Sequence, residues 1–168
     1  MNSYSIEDFL DSVFVRSHSD ETVKTYKGGV HQFEKFLLEK KRDSLSATVE
    51  KTISGEIDAY QLLRDFVVFQ DKSGLKPRTI HIRINAVKSY LRFCGVKIYT
   101  EDFKQSVKMP RKITPQEIPL TKEIIQRLLR NVSPKLQTII LVAVSSGMRI
   151  SEIVQLRIGD FDFNSEPT

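Results

Sequence analysis

One cysteine, Cys94, stands among 168 residues. A single thiol excludes an internal disulfide and any metal site built from a cysteine cluster. It precedes Gly95 at what reads as a helix end, which suits a small packed side chain better than a nucleophile. Glycine and proline are sparse, seven and six, so neither low complexity nor disorder is indicated. No apolar stretch reaches eighteen residues, which leaves no transmembrane helix. The N-terminus, MNSYSIEDFLDS, is acidic and has no signal-peptide core. No run of five like charges occurs, so there is no disordered basic tail. Strand alternation is absent until the last dozen residues. What these absences leave is a soluble, cytoplasmic protein with one or two helical domains.

Charge is present in quantity and unevenly spread. The net charge is +5. Residues 1–73 carry 10 Lys and Arg against 13 Asp and Glu, and residues 136–168 carry 2 against 4. Between them, residues 74–135 carry 14 against 4. A basic block between mildly acidic flanks argues for a polyanionic partner, though a solvated face that binds nothing has the same composition.

The apolar spacing predicts a series of helices. Ser5 to Val15 places Ile6, Phe9, Leu10, Val13 and Phe14 on one side. Ser19-Asp20-Glu21-Thr22 is a start signal, followed by Val23, Tyr26, Val30, Phe33 and Leu37 at helical steps, with Lys24, Lys27, His31 and Lys35 opposite. Gly28-Gly29 weakens this helix by roughly 1 kcal/mol per glycine, so either another backbone packs closely there or the helix breaks. Arg42 to Gly55 is polar and aperiodic and reads as a connection. Ile57 to Lys72 is a third helix with Ala59, Leu62, Leu63, Phe66 and Val67 inward. Pro77 opens a fourth, reaching about Phe93, with Ile80, Ile84, Val87 and Leu91 inward and Arg78, His81, Arg83, Lys88 and Arg92 outward. A short helix over Tyr99 to Val107 follows.

Three prolines and Lys108, Arg111 and Lys112 then mark residues 108–119 as an extended basic linker. Domains are expected at 1–107 and 120–168. In the second, Thr121 caps a helix with Ile124, Ile125, Leu128 and Leu129 inward, and Ser133-Pro134 starts another. Leu136, Ile139, Ile140, Ala143 and Val144 predict a buried helix, closed at Gly147 by a left-handed residue. A short helix begins next, with Arg149 in its first turn and Glu152 three residues on. A cation there opposes the helix dipole and would gain from an arriving anion such as a phosphate. Spacing alone leaves a second reading, a surface arginine paired with Glu152. Ile158 to Phe163 alternates and reads as the opening of a β-strand.

Gly147-Met148-Arg149-Ile150-Ser151-Glu152-Ile153-Val154, followed by Leu156, resembles the first arginine box of the tyrosine recombinases, the phage-integrase family, with Ser146 where threonine is usual. Ile158, Asp160, Phe161 and Asp162 fit the segment that follows the box. Thr79, Arg83, Ala86, Val87, Lys88 and Tyr90 fit the last long helix of the family's N-terminal domain. The likeness is to its Xer-like site-specific members and covers roughly residues 4 to 163.

The resemblance implies a mainly α fold. It comprises a four- to five-helix SAM-like core-binding domain, then the first helices and the start of a β-strand of a catalytic domain. It implies strand exchange through a 3′-phosphotyrosine, with no metal and no cofactor, on double-stranded DNA, by four assembled protomers near the nucleoid. Arg149 would hold the scissile phosphate and Glu152 would fix the helix presenting it. Lys24, Lys27, Arg78, Thr79, His81, Arg83, Lys88, Lys108, Arg111 and Lys112 would contact DNA. The five tyrosines, Tyr4, Tyr26, Tyr60, Tyr90 and Tyr99, all precede Arg149, where the family's nucleophile does not lie. Residues 1–168 are therefore expected to bind DNA without cutting it. Two rivals stand beside this reading. Ile139 to Leu156 also resembles a helix-turn-helix regulator, although residues 136–168 are net acidic. A helical adaptor without nucleic acid is the other.

Overall fold

The computed structural model describes residues 5–41, 43–111 and 118–162. The chain divides into two units, 1–114 and 115–168, and the division falls within the proline-and-basic stretch. Nine α-helices and no strand occur among the described residues.

Unit 1 holds α1 (Ile6–Ser17), α2 (Asp20–Phe36), α3 (Leu45–Ile53), α4 (Ala59–Lys72), α5 (Pro77–Phe93) and α6 (Thr100–Ser106). Side-chain oxygens fix most helix starts. Ser5 accepts from the Asp8 N–H, Ser19 from Thr22, Ser44 from Ala47, and Asp58 from Tyr60 and Gln61. α2 does not stop at Phe36. It widens into one π-helical turn, Leu37–Lys41.

The core is aromatic. Phe9, Phe33, Phe36 and Phe66 are fully buried. Phe33 and Phe66 meet edge to face at 5.1 Å, and Phe36 lies 5.2 Å from both Phe66 and Phe69. Each such ring contributes about 1.5–3 kcal/mol through burial, with a further fraction from the ring contacts. The predicted inward sets of α4 and α5 are all buried. Phe14, predicted inward on α1, is 44% exposed, because Phe9 and Val13 already fill the stripe that α1 offers the core.

The stretch read as a connection contains α3. Leu45, Thr48, Val49 and Thr52 are its buried face, at helical spacing. Two of the four are threonines, so a hydrophobic pattern does not register. Thr52 Oγ1 donates to the Thr48 carbonyl at 2.6 Å, which satisfies its hydroxyl inside the helix.

Unit 2 holds α7 (Lys122–Arg130), α8 (Pro134–Ser146) and α9 (Ile150–Ile153). Thr121 caps α7 by accepting from the Ile124 N–H. The same hydroxyl holds the Glu123 carboxyl below its ordinary range. α8 is not buried as its composition predicts. None of its side chains is fully enclosed, and Leu136, Leu141 and Val144 are about half exposed. On α7, Ile124 and Leu128 are exposed as well. An apolar helix needs neighbours on every side, and the described residues of unit 2 supply only two short ones. Ile153 is the one buried side chain in that set. The expected strand opening is instead a 3-10 turn over Ile158–Asp160, with extended backbone resuming at Phe161. Asp160 explains the turn, since its carboxylate accepts from the Arg157 N–H at 2.7 Å.

Candidate nucleic-acid interface

The crossing of α2 and α5 sets the place of the basic side chains on those two helices. Gly29 of α2 is buried at this crossing. A Cβ placed on it would stand 2.6 Å from Ala86 Cβ and 3.5 Å from the Arg83 backbone. Only a residue without a side chain lets the two helices approach so closely. Gly28 faces open space instead. Of the two readings left for this glycine pair, close packing holds, and Gly29 alone carries it. The outward sides of both helices are thereby brought next to each other. α5 exposes Arg78, Ile82 and Asn85 in one row, and α2 exposes Lys24, Thr25, Lys27, Gly28 and His31.

The predicted contact residues do not all stand in the same way. Arg78 and Lys27 are exposed, and Thr79 is half-buried in the first turn of α5. Lys24 pairs with Glu21 at 2.8 Å, and this hydrogen bond raises its pKa. Arg83 is half-buried and lines a cleft with Gln32, Lys35 and Gln70. Lys88 is half-buried, with its ammonium 4.1 Å from the centre of the Phe103 ring. Burial, and then the charge of Arg92, lowers its pKa. His81 is already engaged, since its Nε2 lies 3.0 Å from the Pro110 carbonyl. That contact ties the start of the proline-and-basic stretch to α5. Lys108 and Arg111 are exposed there, and Lys112 lies outside the described residues.

In unit 2, Gly147 takes φ +69° and its N–H donates to the Ala143 carbonyl at 3.0 Å, ending α8 as expected. Arg149 is not in the first turn of α9. It is the N-cap, with extended backbone, and its side chain is 83% exposed. α9 has four residues, too few to build the dipole that the sequence reading invoked. Glu152 makes two contacts. One carboxylate oxygen accepts from the Arg149 backbone N–H at 2.8 Å, and the other lies 3.4 Å from Nη1 of the guanidinium. The pair is a surface ion pair, as the second reading has it, and Glu152 also fixes the turn.

No group of three His, Cys, Asp or Glu residues that could hold a metal occurs among the described residues. No helix among them is long and apolar enough to cross a membrane.

The family model for the phage integrase N-terminal SAM-like domain matches residues 6–95, which span α1 to the end of α5. The chain belongs to the phage integrase family of tyrosine recombinases. Family members similar to it include tyrosine recombinase XerA of Thermococcus kodakarensis, 30% identical over 66% of this chain and 38% of that protein. XerD of Rickettsia bellii is 25% identical over 92% of this chain and 50% of its own length. XerC of Chlamydia trachomatis is 30% identical over 96% and 56%. The chain thus spans about half the length of the curated relatives it matches. No solved structure gives a match.

Proposed function

We propose that this chain is the DNA-gripping part of a site-specific tyrosine recombinase. The observation that carries the reading is the α2–α5 crossing inside the family's SAM-like domain, with basic and polar side chains on the outward faces of both helices. Lysine and arginine suit phosphates, and polar residues such as Thr25 and Asn85 suit base edges. Residues 1–107 act as the core-binding domain and 108–119 as the linker, with catalytic-domain structure from 120 onward.

Arg149 is proposed as one of the arginines on the scissile phosphate, where it would stabilise charge developing on the non-bridging oxygens. Glu152 is its positioning residue. The DNA partner is double-stranded, and a four-protomer assembly belongs to the full-length family member. The half-exposed apolar faces of α7 and α8 support a domain whose core takes more chain than 118–162 supplies.

The test is a titration of fluorescent duplex at 50 and 200 mM salt, with a nicked duplex assayed for a covalent adduct. Affinity should fall by about tenfold or more over that range, as phosphate contacts require. No adduct should form, because every tyrosine lies upstream of Arg149. A salt-insensitive interaction, or an adduct, defeats the proposal. The helix-turn-helix rival is disfavoured by the length of α9, four residues where a recognition helix must run along a groove. Arg83→Glu with Lys88→Glu should abolish duplex affinity, whereas Arg149→Ala should leave most of it. The reverse pattern would favour the rival.

A further inference from the structure

Several basic residues of unit 1 are held in one of two ways. Lys24, Lys35, Lys41, Lys51 and Lys104 each face a carboxylate, those of Glu21, Glu39, Asp65, Asp43 and Glu101. Arg16, Lys88 and Arg92 are held by neutral groups, as is Lys40 elsewhere in the unit, 5.9 Å from the centre of the Phe69 ring. Arg16 Nε donates to the Ser12 carbonyl at 3.2 Å. Arg92 donates from Nε and Nη2 to the Ile98 carbonyl at 3.1 and 2.6 Å. Lys88 rests on the Phe103 ring. The difference is physical. A carboxylate cancels the charge it orients. A carbonyl or a ring orients the cation and leaves its charge in place.

These three cations line one cleft of about 600 Å³ formed by α1, α2 and α5. No carboxylate among the described residues lines it, and Tyr26, Asn85 and Ser89 add hydroxyl and amide groups. Lys88 and Arg92 stand close enough that, after burial, the charge of Arg92 is the second cause lowering the Lys88 pKa. Oriented, uncancelled and mutually repelling cations around an open cleft favour an incoming anion. Asn85 and Ser89 also continue the row that begins at Arg78 and Ile82, at steps of four, three and four along α5. A duplex lying on that row brings its sugar-phosphate backbone over the cleft.

We propose that this cleft is a phosphate seat in which Arg16, Lys88 and Arg92 hold backbone phosphate of duplex DNA. The proposal rests on α5 being the DNA-facing helix. It adds Arg16 and Arg92 to the contact set. Arg92 has a sequence signal, its place four residues after Lys88 on one helix. Arg16 has none, because only the fold brings α1 to this cleft.

The experiment measures duplex affinity of the whole chain against salt for Arg16→Gln, Lys88→Gln and Arg92→Gln, on two unrelated 20-base-pair sequences. Each variant should weaken binding to both sequences alike and lower the slope of log affinity against log salt by about one. Lys51→Gln, a carboxylate-paired lysine outside the cleft, should leave the slope unchanged. Arg92 also anchors the Ile98 carbonyl, so helicity and thermal midpoint are followed, and Arg16→Gln, on an exposed side chain, serves as the variant least able to disturb folding.

If wild type binds with a steep slope and Arg16→Gln and Lys88→Gln keep it, the seat is wrong and the DNA reading survives. If wild type has no duplex affinity, the DNA reading itself fails and the seat with it. A parallel arm adds inorganic phosphate alone. A rise in thermal midpoint in wild type that the triple variant lacks, without duplex affinity, identifies a free-anion site and overturns the DNA assignment.

Discussion

The two units spend similar kinds of residue very differently. Unit 1 wraps Phe33, Phe36 and Phe66 in six helices and leaves little of its core in contact with solvent. Unit 2 carries a helix as apolar as any in the chain, α8, yet Leu136, Leu141 and Val144 remain about half exposed. Periodicity decides which face a helix offers. Whether that face is covered depends on what surrounds it.

The sharpest way to break this contrast is to cut one large side chain from each unit. Phe66→Ala should cost about 3–5 kcal/mol in chemical denaturation, because it opens a cavity beside the Phe33 and Phe36 rings. Leu141→Ala, on a side chain 52% exposed, should shift stability by no more than about 0.5 kcal/mol. Equal losses would show that unit 2 is as enclosed as unit 1. A dye that fluoresces on apolar surface should bind the chain, and Leu141→Ser with Val144→Ser should reduce that signal while helicity is kept.

The next prediction uses the glycine pair. Gly29→Ala should destabilise by about 1–3 kcal/mol, because the added methyl must displace Ala86 or the α5 backbone. Gly28→Ala, one position away and facing open space, should stabilise by up to about 1 kcal/mol through helix propensity alone. Matching signs would remove the close crossing from the account of the interface.

A smaller effect concerns Gln70, buried in α4 with neither its amide nitrogen nor its oxygen bonded to another group among the described residues. Gln70→Met keeps the length and removes the unpaired dipole, so it should stabilise by about 1 kcal/mol. A loss of stability would reveal a partner for the amide.

The smallest expected effect is on pH dependence. The Lys88 pKa lies below its ordinary value because burial disfavours the ammonium. The unfolded chain therefore binds more protons between the folded and unfolded pKa values, and stability rises with pH through that window. Lys88→Met should flatten this rise below pH 10.5 and raise the thermal midpoint at neutral pH. The same variant should bind duplex more weakly, which would separate the stability of this position from its use.

Much of unit 1 is legible from residues alone. Ser19 announces a helix start by its oxygen, and the inward stripes of α4 and α5 follow from spacing. α3 is not legible, because Thr48 and Thr52 occupy core positions while counting as polar. The exposure of α8 is not legible either, since its composition is that of a buried helix and no local signal reports how many neighbours it has. Arg149 and Glu152 are legible as a pair, but the N-cap place of Arg149 depends on a backbone turn that spacing does not fix. Arg16 is invisible to any local pattern.

The two oxygens of Glu152 divide their tasks unequally. The shorter contact, 2.8 Å, goes to the main chain, and the longer, 3.4 Å, to the guanidinium. A competitor for Arg149 has only the weaker contact to displace, and the carboxylate stays moored to the backbone while the side chain swings away. The hinge is thereby insulated from the hand: Arg149 can change partners without the loop that carries it coming undone.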